Sequence, residues 1–93
     1  MHIVHEHERN RFVASSEDGE FMGEIEYVPE AGTLTANHTL VDDAFQGKGV
    51  AKRLLDEMAA YARINGLKVI PVCSYVVAAF KKYPDEYGDI VVK

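Results

Sequence analysis

The chain has 93 residues, a net charge of −5, 47% hydrophobic and 27% charged residues, and a single cysteine. That leaves room for one domain with one modest core, since a chain of this size buries roughly 60–65% of its unfolded surface. It excludes an internal disulfide or cysteine-cluster metal site, has no apolar run near the ~20 residues of a membrane span, and offers no overall positive field for nucleic acid or anionic lipid.

Residues 1–9 carry three His and two Glu without the apolar stretch of a secretory signal, and are expected to be a flexible or edge segment. Phe12 to Ser15 reads as a short strand, closed by the turn Glu17-Asp18-Gly19. From Phe21 to Val28, Phe21, Gly23, Ile25 and Tyr27 alternate with Met22, Glu24, Glu26 and Val28, the period-two pattern of a strand with one buried face. Pro29 to Gly32 makes a second turn, and Thr33 to Val41 reads as a third strand. Val50, Leu54, Met58 and Ala62, with Ala51, Leu55 and Ala59 beside them, then form an apolar helical stripe closed by Asn65-Gly66. Leu67 to Val72 suits a strand covered on both faces. Ser74 is placed as the N-cap of a helix over Tyr75–Lys82 that ends before Pro84, and Asp89 to Val92 is expected to add a last strand. The order β-β-β-loop-α-β-α-β predicts an α/β domain over residues 1–93. Its sheet is mixed and mostly antiparallel, with the strands flanking the long helix parallel.

The most informative segment is Gln46-Gly47-Lys48-Gly49-Val50-Ala51, between the third strand and the helix. A helix N-terminus leaves several backbone N–H groups unpaired and carries about half a positive charge, which makes an anion site. The glycines let a phosphate approach the backbone. Lys48, Lys52 and Arg53 gather positive charge there in an otherwise acidic chain. The segment is not a nucleotide-triphosphatase loop, because its lysine lies between the glycines and no Ser or Thr follows. Nor is it a dinucleotide fingerprint, because Lys52 stands where a third Gly or Ala belongs.

Gln46-x-x-Gly49-x-Ala51 resembles the Q/R-x-x-G-x-G/A motif of the GNAT superfamily of acyl-CoA-dependent N-acetyltransferases, in which that motif wraps the coenzyme A pyrophosphate. Two further blocks, His38-Thr39-x-Val41 and Ile70-Pro71-Val72-Cys73-Ser74-Tyr75-Val76, together with Tyr83-Pro84-Asp85-Glu86-Tyr87, are similar to the minimal, YjdJ-like branch of that superfamily over residues 10 to 92. The resemblance implies a GNAT-like β-β-β-α-β-α core and acetyl-CoA as cosubstrate, with no metal. It places Val41, Gln46, Gly47, Lys48, Gly49, Val50, Ala51, Lys52 and Ser74 at the cofactor, and His38 and Cys73 at its acyl end. The last block departs from the His-Pro-Glu-Tyr type of that branch, with Tyr83 for His and one residue inserted. Larger members also carry a helix pair after the first strand, and Phe12 to Phe21 leaves room only for a hairpin.

Cys73 stands at a predicted helix start, where a thiol pKa is lowered. It is expected to meet His38 at the sheet edge, as acetyl acceptor or neighbour of the thioester, with His38 as base for an unidentified amine. The plainer readings are a buried small hydrophobe for Cys73 and a hydrogen-bonded structural residue for His38. His2, His5 and His7 are expected to be exposed rather than metal ligands. Tyr75, Phe80, Tyr83 and Tyr87 are expected in the core. Taken together the sequence predicts a cytoplasmic N-acetyltransferase, or alternatively a non-catalytic CoA-binding sensor or carrier. It would act as a monomer or homodimer, without nucleic-acid or membrane partners.

Overall fold

A computed structural model describes residues 1–92. Five strands lie in spatial order β1 to β5: β1 (His2–Glu6), β2 (Arg11–Ser15), β3 (Phe21–Glu30), β4 (Thr33–Val41) and β5 (Lys68–Pro71). The first four form an antiparallel meander, and β5 runs parallel to β4 after the crossover through helix α1 (Val50–Ile64). Residues at the N-terminus thus form the edge strand.

Tight turns enforce the meander. Between β2 and β3, the Ser16 N–H bonds the Glu20 carbonyl and the Gly19 N–H bonds the Ser16 carbonyl, both at 2.9 Å, and Gly19 takes φ 86°. Gly23, Ile25 and Tyr27 follow the expected alternation, but Phe21 is 40% exposed because it lies at the strand start, beyond a register shift at Ala14/Ser15. Met22 and Glu24, expected on the exposed face, are buried.

Helix α1 presents Val50, Leu54, Leu55, Met58, Ala59 and Ala62 to Phe12, Ile25, Leu34, Ala36 and Val69. Each of its large side chains contributes about 1.5–3 kcal/mol of transfer free energy. Helix α2 (Ser74–Lys82) and the single turn α3 (Pro84–Tyr87) lie on the same side. Tyr87 donates to Asp56 of α1, and Arg63 of α1 forks onto Asp89 at 2.6 and 3.1 Å. The opposite sheet face carries no helix, and Val4, Val28 and Leu40 are exposed there.

Two sequence expectations are corrected. Ser74 is the first residue of α2 rather than its N-cap; Cys73 holds that position, without a side-chain capping bond. The expected last strand, Asp89–Val92, reduces to one parallel bridge, Val69 with Val91, because α3 and the turn after it use those residues to reach α1.

Candidate active site

Val41 ends β4 half-buried, and the chain must reverse before α1. Asp42 accepts from the Ala44 N–H at 2.9 Å and closes a 3₁₀ turn over Asp43–Phe45. Gln46 then donates its side-chain amide to the Val41 carbonyl at 3.0 Å, fastening the loop to the strand end. Gly47 and Gly49 take φ 76° and 75°, the left-handed region where a side chain is strained. No atom lies within 4 Å of the place a Cβ would occupy on either, so the backbone is openly approachable. The first bond into α1 is Arg53 N–H to Gly49 O at 3.1 Å. Among the described residues, the N–H groups from Gly47 to Lys52 have no backbone acceptor. Six successive amides without backbone acceptors, two left-handed glycines and a helix N-terminus therefore fall in one short segment, the combination that binds anions.

Val50 anchors that segment by being 2% exposed. Gly23 on β3 makes this possible: a Cβ there would stand 3.2 Å from Val50 Cγ1 and 2.6 Å from the Leu40 carbonyl oxygen. Ala51 is half-buried and Lys48 exposed, with no ion pair among the described residues. Lys52 is differently engaged. Its Nζ bonds both Asp56 oxygens at 3.0 and 3.2 Å and Glu86 at 3.1 Å, above the rings of Tyr83 and Tyr87. Asp56 first, then Tyr87, raise its pKa, so Lys52 stays charged as the link between α1 and α3. Positive charge at the loop itself is left to Lys48.

The sheet opens beside this loop. β4 pairs with β5 only from Thr33 to Ala36, and both Val72 and Cys73 direct their N–H to the Ala36 carbonyl, at 3.1 and 2.9 Å. Beyond Ala36, β4 carries one extra residue, Asn37, against β3. Such a bulge bends the strand and interrupts pairing. The edge of β4 from Asn37 to Val41 is thus free of β5, and α2 starts across the gap at Ser74.

Cys73 lies in this opening, half-buried, with Sγ 3.4 Å from Thr39 Oγ1. Burial pushes the thiol up. The Thr39 hydroxyl and the backbone N–H groups of Val76, Tyr75 and Thr39 together outweigh it and hold the pKa below the ordinary thiol value. The expected partner, His38, is elsewhere. Thr39 shares the helix-covered face with Ile25, while His38 points to the open face, opposite Glu26, with Nε2 3.7 Å from Glu24. Thr39, present in the His-Thr motif yet absent from the predicted site, is the residue that meets the sulfur. Period two says only that His38 and Thr39 face opposite ways; the extra residue Asn37 decides that Thr39 is the one on the helix side.

The remaining aromatic and histidine expectations divide. Phe80 and Tyr87 are buried and stacked at 4.9 Å. Tyr75 and Tyr83 instead line a groove of about 200 Å³ with Lys52 and Lys82. His2 is exposed beside Glu17 and His7 is exposed. His5 is corrected to half-buried, because it stacks on Phe12 at 4.0 Å and bonds the Tyr27 hydroxyl.

A mixed sheet that parts between two parallel strands, beside a glycine loop of free amides, defines the fold class of acyl-CoA N-acyltransferases. Residues 11–90 match the GCN5-related N-acetyl-transferase family, and the chain belongs to it. A GCN5-like protein from Staphylococcus aureus, solved by NMR, is 30% identical with a TM-score of 0.77, over 98% of this chain and 87% of its own. A Klebsiella pneumoniae protein described as an acyl-CoA N-acyltransferase is 20% identical with a TM-score of 0.63, over 81% of this chain and 54% of its own. Ribosomal-protein-alanine N-acetyltransferase from Brucella melitensis biovar Abortus is 23% identical with a TM-score of 0.57, over 94% and 67%. The last two share the fold, and this chain spans about half the length of the Klebsiella protein. No curated protein matches the sequence. Among the described residues no helix is long and apolar enough to cross a membrane.

Proposed function

We propose that the protein transfers an acetyl group from acetyl-CoA to an amine. The pyrophosphate sits on the amides of Gly47 to Lys52, and the thioester lies in the opening between β4 and β5. The observation that carries this reading is the unbroken run of unpaired N–H groups leading to that opening. Gln46, Gly47, Lys48, Gly49, Val50 and Ala51 form the phosphate seat, with Val41 and Ser74 bordering the pantetheine arm. The Lys52 ammonium supports the seat through α3, and only its backbone N–H faces the phosphate.

In direct transfer, His38 takes the proton of the attacking amine nitrogen. The new N–C bond forms, the C–S bond breaks, and the coenzyme A thiolate leaves. Cys73 and Thr39 line the carbonyl end. The lowered thiol pKa supports a covalent route as well: the thiolate attacks the carbonyl, coenzyme A leaves, and the amine then takes the acetyl group from sulfur. A second reading, a CoA-binding sensor or carrier, is favoured by the uncovered sheet face, which supplies no walls for an acceptor.

Calorimetry with acetyl-CoA, followed by intact mass spectrometry, tests these readings. Saturable binding with an acetyl adduct on Cys73 supports the covalent route. Binding without adduct, but with product on spermidine or a lysine peptide, supports direct transfer. Binding with neither supports the sensor. A folded sample that does not bind acetyl-CoA refutes the phosphate seat.

A further inference from the structure

The helix-free face of the sheet carries, beside His38, a chain of charged side chains that the scheme above leaves unused. Glu6, Arg11, Glu26 and His38 stand opposite one another across β1, β2, β3 and β4. Glu24 stands two pairs further along β3 on the same face, between Val13 and Leu40, and is only 9% exposed. Arg11 donates Nε to Glu6 at 2.5 Å and Nη1 to Glu24 Oε1 at 2.8 Å. The other Glu24 oxygen, Oε2, faces His38 Nε2 at 3.7 Å. Donor atoms of Glu24, Glu26 and His38 all fall within 4.8 Å of one another.

From this geometry we infer that Glu24 is a positioning residue for His38. The inference rests on His38 being the base of the proposed transfer. A carboxylate only accepts hydrogen bonds, so the imidazole nitrogen that faces it carries the hydrogen. Nε2–H then points at Glu24, and Nδ1 keeps the lone pair that receives the amine proton. Arg11, itself held by Glu6, fixes one oxygen of Glu24 and leaves the other for His38. The 3.7 Å separation closes to a hydrogen bond with a small ring rotation, as unliganded catalytic contacts often do on substrate binding.

The charges facing His38 are Glu24 and Glu26 from β3, with Arg11 of β2 and then Glu6 of β1 on the far side of Glu24; the helices pack on the other face. When Nδ1 accepts the proton, the imidazolium stands beside two carboxylates, with the Arg11 guanidinium on the other oxygen of Glu24. The proton then passes to the departing coenzyme A thiolate or to solvent. Burial and then Glu26 raise the pKa of Glu24, while Arg11 and His38 oppose them. The chain therefore runs from the edge strand to the base without a helix taking part.

The test reads the protein alone, by long-range proton–nitrogen NMR of histidine-labelled wild type, Glu24→Gln and Glu24→Asp above the imidazole titration range. Wild type and Glu24→Asp are expected to show His38 mainly as the Nε2–H tautomer. Glu24→Gln, whose amide also donates, is expected to shift the population toward Nδ1–H. A wild-type His38 in the Nδ1–H form overturns the inference without any variant, and so does a Glu24→Gln spectrum identical to wild type. Failure of the underlying reading is separable: a His38→Gln protein transferring acetyl at the wild-type rate removes His38 as base, whatever its tautomer.

Discussion

Replacing Gly23 by alanine tests how closely the sheet supports the phosphate loop. Gly23 has an ordinary backbone conformation, so the cost is steric rather than torsional. The added Cβ would meet the Leu40 carbonyl oxygen at 2.6 Å and Val50 Cγ1 at 3.2 Å. The valine methyl can yield, but the carbonyl belongs to the neighbouring strand, where Glu24 pairs with Leu40 and Gly23 with Val41. Overpacking of this kind costs about 1–3 kcal/mol. In a domain of this size each kcal/mol lowers Tm by roughly 4–8 °C. Gly23→Ala is therefore expected to melt roughly 5–20 °C below wild type, followed by circular dichroism at fixed pH and salt. Acetyl-CoA affinity should fall with it, because Val50 is the first residue of α1 and its N–H belongs to the phosphate seat. The double variant with Val50→Ala relieves only the smaller clash and should recover little. A Tm within about 2 °C of wild type, or full recovery in the double variant, refutes the backbone origin of the effect.

Three further outcomes are expected. Cys73 should be alkylated by iodoacetamide at lower pH than a free cysteine, whose pKa is about 8.5, because its folded pKa is lowered. Thr39→Val removes the hydroxyl that supports the thiolate and should move the profile to higher pH; an unmoved profile excludes that role. At Gly49 an alanine meets no atom within 4 Å but must adopt φ 75°, costing about 1–2 kcal/mol. Its melting point should fall accordingly, and calorimetry should read weaker acetyl-CoA binding; a Tm equal to wild type counts against the strain. For His5, burial first and then His7 lower the pKa below 6.5, so the unfolded state binds protons first as pH falls. The stability His5 confers is full above that value and is lost as pH drops through it toward the folded pKa. His5→Gln should consequently lose less Tm than wild type between about pH 7.5 and about pH 5.5, and an equal loss would assign the acid sensitivity to other groups.

Local pattern determined a good deal of this protein. The helical stripe from Val50 to Ala62, the turns at Gly19 and Gly32, and the anion-binding loop around Gly47 and Gly49 are all set within a few residues of themselves. Helix period, left-handed glycines and unpaired first-turn amides need no distant partner, so they can be read along the chain. The expected Asp89–Val92 strand failed because its β propensity competed with the Arg63 contact to Asp89 and the Asp56 contact to Tyr87 just before it, both made far away in sequence. The same holds for His5, whose partners Phe12 and Tyr27 come from two other strands.

The side of the sheet on which each site residue stands was decided only by tertiary structure. Before Asn37, Ala36 faces the helices; without an extra residue His38 would face them too and Thr39 would face outward. The bulge at Asn37 reverses that parity, placing Thr39 against Cys73 and His38 beside Glu24. Side chains alternate with a period of two, so one unpaired residue moves every later side chain to the other face. The His-Thr motif therefore names the residues, and the pairing of β4 with β3 decides which of them meets the sulfur.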